Sequence, residues 1–374
     1  MRMLVQTQLS NYDSRGKFIL EADSGFQMVM GRVRVLLDTF PDLSIDVMCP
    51  TSEQCVTDPR NINLDLWQKY SQQQSRLCFV GHKILPNALA TRYDFDWNNL
   101  ASTLEIDQQR WDIVFLNDPM HLRNFKALFH VVGKHVKPKF VVHSHFIDNP
   151  SSPKFPKEAS LWLGQCEAAI RADYNFWQCE SAMNIFFEEM TEFFNPSIVE
   201  STKQKSAPWD DGYSREEINS QINVKQLRFD PRQFKRWENE GKKVIFVPNR
   251  VGGKGRSSDY TNCGKFLFEI LPELRKQRSD FVVIAGNPNQ KFANTELEAE
   301  CGKHGYMKLV EGAFNRDEFK FVARASHVNA GLYIDDSFGG TAWRECIDLG
   351  CVPLSPLVNE YKKFFEETSY PYGC

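Results

Sequence analysis

The sequence predicts an α/β protein built from two doubly wound parallel-sheet domains. Short apolar runs alternate with longer segments of helical period, as in successive βαβ units. That alternation breaks once, in a polar stretch, and then resumes. A length of 374 residues is enough for two separate cores.

In the first half, strands are expected at 3–7 (MLVQT), 44–49 (SIDVMC), 77–81 (LCFVG), 112–117 (DIVFLN), 139–145 (KFVVHSH) and 174–179 (YNFWQC). Amphipathic helices at 24–40, 119–135 and 157–172 fall between them, which defines a first domain over 1–196. From 197 to 241 the texture turns polar and charged around STKQKSAPWDDGYSREE, the composition of an interdomain linker. Strands then recur at 243–249, 280–286, 307–312, 328–334 and 352–356, with helices at 261–277, 316–324 and 341–349. They form a second domain over 242–374, and a cleft between the two domains is the expected ligand site.

A net charge of -3 gives no bulk attraction to polyanions, so a nucleic-acid role would need a local basic patch. The ten cysteines include no CxxC pair and no zinc-ligand spacing, and they read as reduced thiols. No stretch approaches the ~20 apolar residues of a membrane span, and the amino terminus lacks the apolar run of a signal peptide. A cytoplasmic protein without integral membrane association is therefore expected.

Two stretches carry chemistry. VPNRVGGKGR (247–256) follows an apolar strand, and its glycines free the backbone to turn between Arg250 and Lys254. The two cations and the turn's N–H groups suit a diphosphate; the alternative is a glycine-rich turn with two solvated cations. Neither a Walker A loop nor a GxGxxG fingerprint is present. In YIDDSFGGTAWRECIDLGCVPLSP (333–356), Gly339 and Gly340 place N–H groups at a helix amino terminus, a second anion-binding feature. Glu345 lies in the helix that follows. It is either a solvated helix glutamate or a carboxylate facing the cleft, able to accept from paired ribose hydroxyls.

Together these segments resemble the donor domain of GT-B glycosyltransferases, in particular the large retaining family of glycogen-synthase-like and bacterial α-glycosyltransferases. In that family an arginine and a KG pair after the first donor-domain strand hold the nucleotide-sugar diphosphate, and they match Arg250 and Lys254-Gly255. DSFGGTAWRECIDLGCVPLS resembles the family's glutamate-pair segment, whose ribose-binding glutamate falls on Glu345. Collinear matches continue upstream in INVKQLRFDPRQF (222–234), ADYNFWQCESAMNIFFEEM (172–190) and EADSGFQMVMGRVRVLLDTFPDLSIDVMCP (21–50), so the resemblance covers most of the chain. It implies two Rossmann-like domains facing across a cleft.

Three features depart from the family pattern. The first glutamate of the pair aligns with Ser337, or with Asp336 if one residue is inserted before Glu345. The acceptor-domain loop has one glycine, Gly25, where relatives often have two. The chain also stops soon after the last motif, as a compact variant or a truncated one would.

VVHSHF (141–146) places two histidines on the same side of the pleat, as core-edge groups satisfied by backbone or as site residues. The resemblance assigns His145 to the donor sugar. The DxD in YDFDW (93–97) reads as a helix cap at Asp96 rather than as a metal ligand. Lys225, Arg228, Arg232, Lys235, Arg236, Lys242 and Lys243 form the most basic run, a solvated face or a contact for a polyanionic acceptor.

The resemblance implies an enzyme, a metal-independent hexosyl-type transferase that moves sugar with retention from a nucleotide-diphosphate donor such as a UDP-sugar. No cofactor is expected beyond that co-substrate. His145, Asp336 and Glu345 are the catalytic candidates; Gly25, Arg250, Lys254, Gly339, Gly340 and Glu345 are the donor-binding ones. A saccharide or small molecule is the first acceptor class and a DNA base, as in phage hydroxymethylpyrimidine glucosyltransferases, the second. A sugar-nucleotide epimerase or an inactive sugar-nucleotide binding module would share the architecture.

Overall fold

Each expected strand of the first half appears in one sheet. In this computed structural model the described residues are 1–7, 9, 17–20, 23–56, 75–85, 94–108, 110–133, 137–145, 159–210, 215–248, 266–287, 302–311, 314–331, 341–355 and 359–368. The first-half strands are β1 (Arg2–Gln6), β2 (Ser44–Pro50), β3 (Leu77–His82), β6 (Ile113–Leu116), β7 (Lys139–Ser144), β8 (Tyr174–Trp177) and β9 (Ser206–Pro208), with β4 (Ile84–Leu85) and β5 (Asp94–Phe95) forming a separate antiparallel pair. The sheet order is β3-β2-β1-β6-β7-β8-β9 and every pairing is parallel. Strand order therefore reverses between β1 and β6, where open α/β sheets hold ligands beyond the strands' carboxyl ends.

The second half gives β10 (Lys243–Val247), β11 (Phe281–Asn287), β12 (Met307–Glu311), β13 (Val328–Ala330) and β14 (Val352–Leu354), in the parallel order β12-β11-β10-β13-β14. Its reversal point lies between β10 and β13. Period-two alternation explains the double-sided core. Ile245, Val247, Val283 and Ala285 pack with Phe266 and Leu271 on one face. Val244, Phe246, Val282 and Ile284 pack with Trp237, Phe319 and Val322 on the other. Burying Phe246 completely contributes about 2–3 kcal/mol.

The chain divides into two compact units, Met1–Gly212 and Tyr213–Cys374. That division falls inside the segment 197–241, whose described parts belong to one unit or the other. Pro196–Lys203 is helical, and β9 adds a strand to the first sheet. β9 has no apolar run, and its terminal Pro208 is tolerated because the strand lies at an edge. Beyond it, polar contacts fasten the chain to the second unit: Arg324 Nη2 donates to the Ile218 carbonyl (2.7 Å), Lys320 Nζ to Ser220 Oγ (2.7 Å), and Arg228 pairs with buried Glu318. Trp237, in the Arg232–Asn239 helix, enters the core.

Two helices differ from their expected form. The 119–135 segment starts as a 3-10 turn, Pro119–His121, before Leu122–Val131. The described part of 261–277 starts as a π-helical turn, Phe266–Ile270, ahead of Leu271–Gln277. Pro272 supplies no N–H to the preceding turn, which accounts for the change of register there. Among the described residues no helix is long and apolar enough to cross a membrane.

Candidate functional site

In the second unit Glu345 is buried within the helix Thr341–Asp348 rather than solvated on it. Arg316, the first residue of the helix Arg316–Ala325, grips the carboxylate with both ends of its guanidinium, Nη1 to Oε2 at 2.8 Å and Nη2 to Oε1 at 2.7 Å. The guanidinium also lies over Phe319, 5.4 Å from the ring centroid. A carboxylate has about four lone-pair sites, and this fork occupies one on each oxygen. Arg316 is a partner that the sequence did not reveal.

The other donor-side candidates, Arg250, Lys254, Asp336, Gly339 and Gly340, lie outside the described residues. Around them the frame is clear. β10, which precedes Arg250 and Lys254, and β13, which precedes Asp336 and the glycines, flank the reversal point of the second sheet. Gly331, just beyond β13, is required by close approach: a Cβ there would meet Cδ1 of buried Trp343 at 2.0 Å.

In the first unit Gly25 is the second residue of the helix Ser24–Thr39, not part of the loop before it. Asp23 caps that helix, accepting from the Phe26 N–H at 2.8 Å, so a polar N-cap brings the glycine into the first turn. His145 lies just past the end of β7 and is half-buried, its ring centroid 6.4 Å from that of fully buried His143.

Below those histidines is a polar cluster that sequence reasoning missed. Buried Arg32, on the helix after β1, donates through Nη1 to Asn117 Oδ1 (3.0 Å) and lies 2.7 Å through Nη2 from His143 Nε2. Asn117 in turn donates to the Gln6 carbonyl at 2.6 Å, and the guanidinium lies 5.3 Å from the Trp209 ring centroid. The cluster thus ties the ends of β1, β6 and β7 at the reversal point of the first sheet. Its members are separated by 85 and 111 residues, which no local pattern could signal.

A second buried group sits at the ends of β3 and β6. His82 packs on Phe95 (5.1 Å between centroids), and Phe95 meets His121 edge-on at 4.8 Å. Burial pulls the His82 imidazole down to about 4, against a hydrogen bond to the Lys83 carbonyl and with help from nearby His121.

The DxD serves the fold as expected at Asp96, whose Oδ1 accepts from the Asn99 N–H at 3.0 Å as the N-cap of Trp97–Leu104. Among the described residues no group of three His, Cys, Asp or Glu side chains is arranged to hold a metal ion. The basic run is partly neutralised: Arg228 pairs with Glu318, Arg232 with Asp230 (2.9 Å) and Lys242 with Glu240 (2.5 Å).

The sequence matches no protein-family model and no curated protein. Its fold matches solved structures along nearly its whole length. The Anabaena protein HepE, crystallised in complex with UDP-glucose, superposes with a TM-score of 0.57 at 11% identity, covering 97% of this chain and 82% of HepE. An α,α-trehalose 6-phosphate synthase from Burkholderia multivorans gives 0.58 at 13% identity, covering 94% and 83% of the two chains. A glycosyltransferase from Rickettsia africae gives 0.54 at 11% identity, covering 96% and 80%. With its two Rossmann-like units and all-parallel main sheets, the chain has the GT-B fold.

Proposed function

We propose that this protein is a glycosyltransferase that moves a sugar, with retention, from a nucleotide-diphosphate donor such as a UDP-sugar to a hydroxyl acceptor. The observation that carries the reading is the fold likeness to HepE with UDP-glucose over 97% of this chain. The buried carboxylate of Glu345 supports it, since the family resemblance puts the ribose-binding glutamate at that position.

In this reading the barrier is departure of the diphosphate from an oxocarbenium-like centre. Arg250, Lys254 and the N–H groups at Gly339 and Gly340 meet the charge that develops on the leaving group. In this reading the two cations neutralise the leaving group and no metal is required. Glu345 takes the ribose hydroxyls, Asp336 stands for the family's sugar-contacting glutamate, His145 orients the sugar, and Gly25 contributes to the phosphate pocket. A saccharide or small metabolite is the acceptor; the pairing of Arg228, Arg232 and Lys242 with acids speaks against DNA.

Incubation with a panel of nucleotide sugars, with and without simple saccharides, tests the assignment. Transfer or slow donor hydrolysis supports it. Appearance of an isomeric donor would make the protein an epimerase, and binding without turnover a sugar-nucleotide binding module.

A further inference from the structure

The backbone ladder between β6 and β7 ends at the pair Leu116 and Val142. One residue further along each strand, Asn117 and His143 are joined through side chains, with Arg32 as the bridge. The guanidinium therefore extends the strand connection past the last backbone pair, two residues before His145. On the far side, β7 stays paired with β8 through Ser144 and Trp177, and the Gln178 N–H donates to the Ser144 carbonyl at 3.1 Å. The strand end that carries His145 is thus held from both sides, and on the β6 side Arg32 holds it.

The contact also dictates chemistry. A guanidinium has five N–H donors and no acceptor, so Nε2 of His143 must present its lone pair to Nη2 at 2.7 Å. The ring proton then belongs on Nδ1, and His143 is a neutral imidazole of a single tautomer. Asn117 is oriented by the same logic. Its Oδ1 accepts from Arg32, and its Nδ2 donates to the Gln6 carbonyl at 2.6 Å.

We infer that Arg32 is a positioning residue for sugar transfer: it fixes the tautomer of His143 and the end of β7, and so the placement of His145. The inference rests on the transferase reading given above for His145.

The test uses the full chain, labelled with 15N-histidine, together with donor-dependent kinetics. In the wild-type protein the His143 ring should show the neutral Nδ1–H pattern throughout about pH 5–8, the range in which free imidazole titrates. Arg32→Met should abolish that pattern, while Arg32→Lys, which retains a donor, should keep it. Arg32→Met should lower kcat about tenfold or more with a smaller change in donor KM, and Arg32→Lys should recover most of the loss.

An Nε2–H tautomer or an imidazolium at His143 in the wild type would overturn the inference, as would unchanged histidine spectra in Arg32→Met. A changed tautomer with unaltered kinetics would remove Arg32 from the reaction while leaving the transferase reading intact. Absence of turnover by the wild type on every nucleotide sugar would overturn both.

Discussion

Arg316 and Glu345 form a two-pronged ion pair, 2.7 and 2.8 Å, with the carboxylate side chain 6% exposed and the guanidinium 33% exposed. Replacing the carboxylate with an amide leaves the arginine short of a charged acceptor. Glu345→Gln should therefore cost about 2 kcal/mol in urea unfolding. If the donor's ribose binds there, donor KM should rise at least about tenfold while kcat changes less. An unchanged KM in a folded variant would detach Glu345 from the donor.

If Arg250 and Lys254 meet the diphosphate as proposed, Arg250→Ala and Lys254→Ala should each reduce the donor-dependent rate about a hundredfold, since each would remove a cation from the leaving group. Steady-state kinetics with a UDP-sugar would measure this. Near-normal rates in both variants would count decisively against a diphosphate leaving group at this position.

Glu318 reports on how the second unit anchors its first segment. Burial alone would raise its carboxyl, but hydrogen bonds from the Arg228 side chain and the Asn315 and Arg228 backbone N–H groups outweigh that and hold it below the usual carboxylate range. A depressed folded-state value means stability that is present above the unfolded carboxyl range and lost as pH falls through the folded value. Arg228→Ala should cost about 2–3 kcal/mol at neutral pH, less than a fully buried pair because Arg228 is half exposed. The deficit relative to wild type should shrink on acidification.

His82 gives the same direction of pH dependence through its neutral form. Its folded-state value of about 4 lies below the ordinary 6.5, so the unfolded chain binds the proton more readily. Its contribution is complete above about pH 6.5 and is lost as pH falls toward 4, a change on the order of 3 kcal/mol. Chemical unfolding of wild type and His82→Phe between these limits should show a shallower pH dependence for the variant. Parallel curves would mean that His82 is not the group responsible.

Gly331→Ala would set a methyl group 2.0 Å from Cδ1 of Trp343, whose ring is also packed edge-on against Tyr361 at 4.7 Å. With no room on either side, the substitution should destabilise by about 1–3 kcal/mol, read as a lowered Tm.

Strands and most helices were legible because apolar period is a local property. β1, β2, β10 and β11 all begin and end within about two residues of the runs that announced them, the usual uncertainty of element ends. The Asp96 cap was legible for the same reason, since capping chemistry acts over three residues. β9 was not, because Ser206–Pro208 owes its pairing to an edge already formed by β8. Nor were Arg32 with His143 or Arg316 with Glu345. An arginine on a helix looks like any solvated cation until tertiary structure brings an acceptor 111 or 29 residues away into reach. Gly25, expected in a loop, lies instead in the first turn of the helix Ser24–Thr39, because Asp23 accepts from the Phe26 N–H and caps the helix ahead of it.

The central place of β1 has a consequence for biosynthesis. Its neighbours β2 and β6 both come later in the chain, and the Arg2 N–H reaches its acceptor on Asp112 across 110 residues. While the polypeptide is being made, this apolar segment therefore emerges before either partner and waits with both edges open. The interval between synthesis of β1 and of β6 is thus one in which the chain is exposed to aggregation and open to a chaperone.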